Sequence, residues 1–97
     1  MTLPAISLVI PVYDEEDNLR LLHQAICQAL PEQDFEVLYV NDGSHDSSGR
    51  ILDELASEDN RAKVIHFVRN YGQTAALTAG IRTAKAPILI TLDADLQ

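Results

Sequence analysis

Four short apolar runs, each separated from the next by a segment of helical spacing, constrain this chain more than any other feature. Residues 5–13 (AISLVIPVY) form the first run, rich in Ile and Val, with Pro11 near its end. Residues 35–40 (FEVLYV), 63–68 (KVIHFV) and 88–92 (ILITL) form the others. Runs this short and this continuously apolar read as strands buried on both faces. After the first, Leu19, Leu22, Ile26, Ala29 and Leu30 recur along one helix face. Asp14-Glu15-Glu16-Asp17 supplies the acid bias expected of that helix's first turn, and Pro31 stops it. Asp46 or Ser47 is placed to cap a second helix carrying Ile51, Leu52, Leu55 and Ala56. Thr74 is placed to cap a third, running to Lys85, before Ala86-Pro87 breaks it. Its small residues Ala75, Ala76, Ala79 and Gly80 allow close packing on a sheet. The order βαβαβαβ predicts an α/β three-layer sandwich with a mostly parallel sheet and right-handed crossovers.

Size and charge narrow the function classes. With 97 residues the chain has room for a single domain, residues 1–97, and one modest core. Seven Lys+Arg against fifteen Asp+Glu give a formal charge of −8, which argues against a nucleic-acid partner. The sole cysteine, Cys27, sits near the apolar face of the first helix. It excludes an internal disulfide or a zinc cluster of several cysteines, fits a reducing compartment, and reads as a packed thiol. No apolar run approaches a membrane span, and Met1-Thr2-Leu3-Pro4 lacks the basic and apolar stretches of a signal peptide. The expected location is cytoplasmic.

In parallel sheets, ligands sit beyond the carboxyl ends of the strands, and the polar segments of this chain fall there. Asp93-Ala94-Asp95 follows the fourth run directly. In extended chain, residues i and i+2 point the same way, so both carboxylates can converge on a hard cation such as Mg²⁺ or Mn²⁺. Gln97 adds an amide oxygen two positions on. The alternative is a pair of solvated turn acids. A carboxylate and a phosphate charge about 4 Å apart repel by about 4 kcal/mol at an effective dielectric of about 20. An acidic site that handles a diphosphate therefore needs a divalent ion between them. Asp42, in Asn41-Asp42-Gly43-Ser44, can accept from a base N–H or a ribose hydroxyl, or it can form an Asx turn capping the next helix. Tyr13 can pack on a base and Glu15 can bind a base edge; the alternatives are a core tyrosine and a helix-start acid. Arg69 can meet a phosphate or pair with one of the acids. His23 reads as packing, His66 as strand core or sheet surface, and His45 as a loop residue open to a ligand role. Ser44, Ser47 and Ser48 lack a nucleophile elbow. Neither G-x-G-x-x-G nor G-x-x-x-x-G-K-[ST] is present, which argues against dinucleotide and P-loop chemistry. Asp93–Gln97 also lacks the hydroxyl residue, and the first-strand position, of an aspartyl phosphatase motif.

Four blocks in order carry a resemblance: Val9-Ile10-Pro11-Val12-Tyr13-Asp14-Glu15-Glu16; Val40-Asn41-Asp42-Gly43-Ser44-His45-Asp46; Arg69-Asn70-Tyr71-Gly72-Gln73-Thr74-Ala75-Ala76-Leu77-Thr78-Ala79-Gly80; and Asp93-Ala94-Asp95-Leu96-Gln97. Together they resemble the family 2 inverting glycosyltransferases of GT-A nucleotide-sugar fold, in particular the polyprenyl- or dolichyl-phosphate sugar synthase branch. The resemblance covers essentially the whole chain and matches the N-terminal, nucleotide-binding half of that fold. It implies that Pro11, Tyr13, Glu15 and Asp42 hold the nucleotide, and that Asp93, Asp95 and Gln97 are the metal and diphosphate ligands. It also implies transfer of a sugar from a UDP- or GDP-sugar to a polyprenyl phosphate, with inversion, at the cytoplasmic membrane face. Asparagine is frequent in the family where this chain has Asp14, and aspartate where it has Asn41; His45 replaces a small residue. The acceptor half of the family's domain would follow Gln97. The chain is thus expected to be a truncated nucleotide-sugar-binding domain, with the alternative of a catalytically incomplete binding or structural fragment. The resemblance assigns no catalytic residue here. An edge on the last strand invites pairing into a homo-oligomer.

Overall fold

The computed structural model describes residues 3–95. Seven elements alternate along the chain: β1 (Ile6–Val12), α1 (Leu19–Ala29), β2 (Phe35–Asn41), α2 (Ser48–Glu58), β3 (Ala62–His66), α3 (Gln73–Thr83) and β4 (Ile88–Thr91). All strand pairs are parallel, in the order β3-β2-β1-β4. The four predicted runs are the four strands, each shifted or trimmed by a few residues.

Alternating side chains divide the sheet between two helical layers. Leu8, Ile10, Val12, Phe35, Val37 and Tyr39 face one way and join Leu19, Leu22 and Ile26 of α1 and Leu52 and Leu55 of α2 in the main core. Val9 and Val40 face the other way, under α3. There a Cβ added to Gly80 would meet Val9 Cγ1 at 2.4 Å, so only glycine allows that approach. The small-residue stripe of α3 thus does what its composition predicts. β2 is buried at all seven positions. β4, which among the described residues pairs with β1 alone, is exposed at all four.

Three local expectations are overturned. Residues 14–17 are not the first turn of α1, which begins at Leu19. Asp14 takes a left-handed φ of 52°, a conformation Asp and Asn tolerate better than most residues, and turns the chain out of β1. The acidic run then serves the neighbouring helix. Asp14 Oδ1 accepts from the His45 N–H at 2.7 Å, and Glu16 Oε2 accepts from the Ser47 N–H at 2.9 Å. Carboxylates still gather at a helix N-terminus, as the dipole favours, but the helix is α2. Second, Thr74 lies inside α3 rather than capping it; Gly72 is the N-cap. Third, α3 ends at Thr83, two residues short of Lys85. The capping expectation for α2 is met in part, since Asp46 Oδ1 accepts from the Ser48 N–H at 2.9 Å.

At the amino end of the sheet, two polar networks tie elements together. The Ser7 hydroxyl donates to Glu36 Oε2 at 2.6 Å, and the Lys85 N–H donates to the same oxygen at 2.7 Å, fastening the α3–β4 connection to β1 and β2. His23 is buried as expected, but in polar company: its ring nitrogens meet Tyr39 Oη at 2.7 Å and Asp59 Oδ2 at 2.9 Å. The Arg61 guanidinium holds the Asp59 carboxyl far below the usual range, while burial pushes the Tyr39 phenol up. The thiol of half-buried Cys27 is also raised by burial. No helix is long and apolar enough to cross a membrane among the described residues.

Candidate functional site

The strand order determines where a site can form. Successive strands run outward from β1 to β2 to β3, and the chain then crosses under the sheet through α3 to place β4 on the other side of β1. Such a reversal opens a crevice beyond the carboxyl ends of the strands. A cleft of about 460 Å³ lies there, lined by residues of all four strand tips: Pro11 near the end of β1 with Tyr13 and Glu15 after it, Asp42 after β2, Asn70 and Gly72 after β3, and Asp93 and Asp95 after β4. The nucleotide and metal candidates Pro11, Tyr13, Glu15, Asp42, Asp93 and Asp95 are therefore in one place, whereas Arg69 and His45 are not among the lining residues. Gln97 lies outside the described residues.

Hydrogen bonds between loops build the rim. Asn41 makes the Asx turn of the second loop, its Oδ1 accepting from the Ser44 N–H at 3.0 Å. The Asp14 N–H donates to Ser44 Oγ at 3.0 Å, and the Glu15 N–H donates to buried Ser48 Oγ at 2.9 Å. The bonds of Asp14 and Glu15 set the backbone that follows Tyr13, whose ring meets that of His45 edge-on at 6.2 Å. Glu15 accepts from Asn18 Nδ2 at 2.8 Å.

Asp42 is the floor post of the cleft. It is 4% exposed, and its carboxylate accepts from the Tyr71 N–H at 2.7 Å, the Gly72 N–H at 3.0 Å and Asn70 Nδ2 at 3.0 Å. A carboxylate offers about four lone-pair sites, and these three bonds occupy three of them. Gly43 beside it has φ 70°, and a Cβ there would sit 2.3 Å from the Arg69 carbonyl carbon. The second and third loops touch backbone to backbone, and only glycine permits it. Arg69 lies over the Tyr71 ring, 5.0 Å from its centroid.

The lining is chemically one-sided. Glu15, Asp42, Asp93 and Asp95 face the cleft, and none of its described lining residues is Lys or Arg. Asp93 and Asp95 are exposed at the mouth, and Ala94 between them is buried at the edge of the core. The even spacing thus turns both acids outward and anchors the loop by the residue between. Oxygen donors of this kind suit a hard divalent cation. Sequence reasoning did not assign Asn70, Gly72 and Gln73 to the cleft; the one signal was their place in the third block of the resemblance.

Comparison with known proteins agrees with this geometry. The family model described as "Glycosyl transferase family 2" matches residues 7–97. Among curated proteins, the chain is 49% identical over 96 residues to the undecaprenyl-phosphate 4-deoxy-4-formamido-L-arabinose transferase of Proteus mirabilis (strain HI4320), covering 95% of this chain and 29% of that protein. It is 48% identical over 96 residues to the transferase of the same name from Pseudomonas fluorescens (strain Pf0-1), covering 95% of this chain and 28% of that one. The chain therefore spans under a third of the length of these relatives. Among solved structures, S. aureus TarS 1-349 in complex with UDP superposes with a TM-score of 0.82 at 24% identity, over 94% of this chain and 27% of that one. The mannosyltransferase PcManGT from Pyrobaculum calidifontis, in complex with GDP-Man and Mn²⁺, superposes with a TM-score of 0.82 at 22% identity, over 98% of this chain and 28% of that one. At these identities the likeness is one of fold.

Proposed function

The chain belongs to glycosyl transferase family 2, and from that premise we propose that it is the nucleotide-sugar-binding part of an enzyme that moves a glycosyl group from a UDP- or GDP-sugar to a polyprenyl phosphate, with inversion. The fold is the amino-terminal part of the GT-A architecture. The observation that carries the reading is the meeting of Asp93 and Asp95 with Tyr13, Glu15 and Asp42 in one cleft, with no Lys or Arg among its described lining residues.

Each residue has a part in the proposal. Pro11 and Tyr13 shape and pack the base side, Glu15 takes a base edge, and Asp42 offers its remaining acceptor direction to the nucleoside. Asp93 and Asp95, with Gln97, hold Mg²⁺ or Mn²⁺. Such an ion neutralises the diphosphate and stabilises the charge that develops as it leaves. The carboxylates alone would repel the diphosphate, by the arithmetic given above. A phosphate acceptor arrives already ionised, so this half of the site needs no general base. The acceptor class is proposed from the undecaprenyl-phosphate transferases that the chain is similar to. It places the reaction at the cytoplasmic face of a membrane.

The alternative reading is a catalytically incomplete binding fragment, which binds the donor without turnover; the chain spans 29% of the length of its Proteus relative. Its open β4 edge favours pairing with a second copy. Calorimetry with UDP, GDP and their sugars, with and without Mn²⁺, tests the reading. Saturable binding that disappears with EDTA and in Asp95→Ala supports a donor site. Absence of heat under every condition refutes it, and turnover with a polyprenyl phosphate refutes the assignment of donor binding alone.

A further inference from the structure

His66 ends β3 beside the second loop, and its two ring nitrogens meet partners on different elements. Nδ1 lies 3.0 Å from Asn41 Nδ2 of β2, and Nε2 lies 2.8 Å from Asp53 Oδ1 of α2. The Asn41 amide has only one workable orientation here. The Ser44 N–H is a donor and can face only Oδ1. Nδ2, itself a donor, must then face His66. Nδ1 of His66 is therefore an acceptor and carries no proton. The ring proton sits on Nε2, where the Asp53 carboxylate receives it.

We propose that His66 is a positioning residue for the nucleotide cleft, holding the second loop through Asn41, and that it does so only as the neutral imidazole. A proton added at Nδ1 would face the two hydrogens of Asn41 Nδ2. The amide can relieve that conflict by turning over, but Nδ2 would then face the Ser44 N–H. One of the two bonds is lost either way. Ser44 Oγ holds the Asp14 N–H, next to Tyr13 and Glu15, and Asp42 directly follows Asn41 in the chain. The disturbance therefore enters the cleft from two sides. Among the described residues, Asp53 is the charged group in contact with the ring, and Asn41 is its neutral partner. The Asp53 side chain is 67% exposed and accepts from Nε2–H whether or not Nδ1 carries a proton. An aspartate at position 41 would remove the conflict, because a carboxylate accepts from both the Ser44 N–H and a protonated Nδ1. The asparagine is what makes the contact sensitive to protonation. The effect on ligand binding rests on the donor-site reading above; the effect on the loop does not.

Proton–nitrogen correlation NMR on the chain, from about pH 8 to about pH 5, where imidazoles titrate, separates the two. In the wild-type chain the Ser44 amide signal is expected to move in step with the His66 ring signals. In His66→Gln, whose amide accepts from Asn41 and donates to Asp53, that component disappears, while any contribution from neighbouring His45 remains. In Asn41→Asp the Ser44 bond is expected to persist at the acid end, with His66 charged. UDP or GDP affinity at saturating Mn²⁺ should fall about fivefold more on acidification in wild type than in His66→Gln, the size of one net hydrogen bond. A Ser44 signal that ignores His66 titration, or an equal step in His66→Gln, overturns the proposal. A Ser44 step without nucleotide binding by any of the three proteins upholds the relay and counts against the donor site.

Discussion

Strands β2 and β4 flank the same central strand, yet one is buried at every position and the other exposed at every position. β2 lies under α3 on one face and under the α1–α2 layer on the other, and it pairs on both edges. Among the described residues β4 pairs with β1 alone, and Ile88 is 54%, Leu89 44% and Ile90 36% exposed. The cleft draws on both. Asp42 hangs from the strand held on all sides, and Asp93 and Asp95 from the strand held on one. Stability and chemistry are thus carried by different parts of the sheet. The body carries Asp42, and the edge carries Asp93 and Asp95.

Substitutions that separate the two regions are the way to break this comparison. The largest effect is expected in the body. Leu52→Ala empties a fully buried position in the main core and should cost about 2–5 kcal/mol, read from urea denaturation. Next comes the loop contact. Gly43→Ala puts a methyl against the Arg69 and Asn70 backbone at a positive φ and should cost about 1–3 kcal/mol, with nucleotide affinity reduced as the second and third loops part. Smallest is the edge. Ile90→Thr on β4, 36% exposed, should change stability by about 0.5 kcal/mol or less. A cost there equal to that of Leu52→Ala would show that β4 is covered in solution, by a second copy for example, and the comparison would fail.

What the sequence made legible follows from range. The alternation of apolar runs and helical spacing gave the layers and the parallel sheet; burial on both faces holds for β1 and β2, whereas the equally apolar run of β4 lies at the sheet edge and is exposed at all four positions. The gathering of strand ends followed from topology, which reversal at β1 converts into a cleft. Residues 14–17 were misread because acid bias near a helix start is a local signal, whereas the helix they serve begins some 30 residues later, at His45–Ser48. The same limit applies to His23 with Tyr39 and Asp59, and to His66 with Asn41 and Asp53. These partners are 13–36 residues apart in the chain, and no periodicity links them. Asp42 read as a nucleoside acceptor or an Asx-turn residue; its three bonds to the third loop come from an approach of the two loops that only the fold brings about.

Paramagnetic broadening by Mn²⁺ in the presence of UDP or GDP tests the central claim most directly, since it reports position as well as binding. The amides of Tyr13, Glu15, Asp42, Asp93 and Asp95 are expected to broaden at substoichiometric Mn²⁺, while those of Asp59 and Arg61, at the far end of the sheet, stay sharp. Broadening centred away from the strand tips, or spread evenly over the acidic surface, would contradict the account.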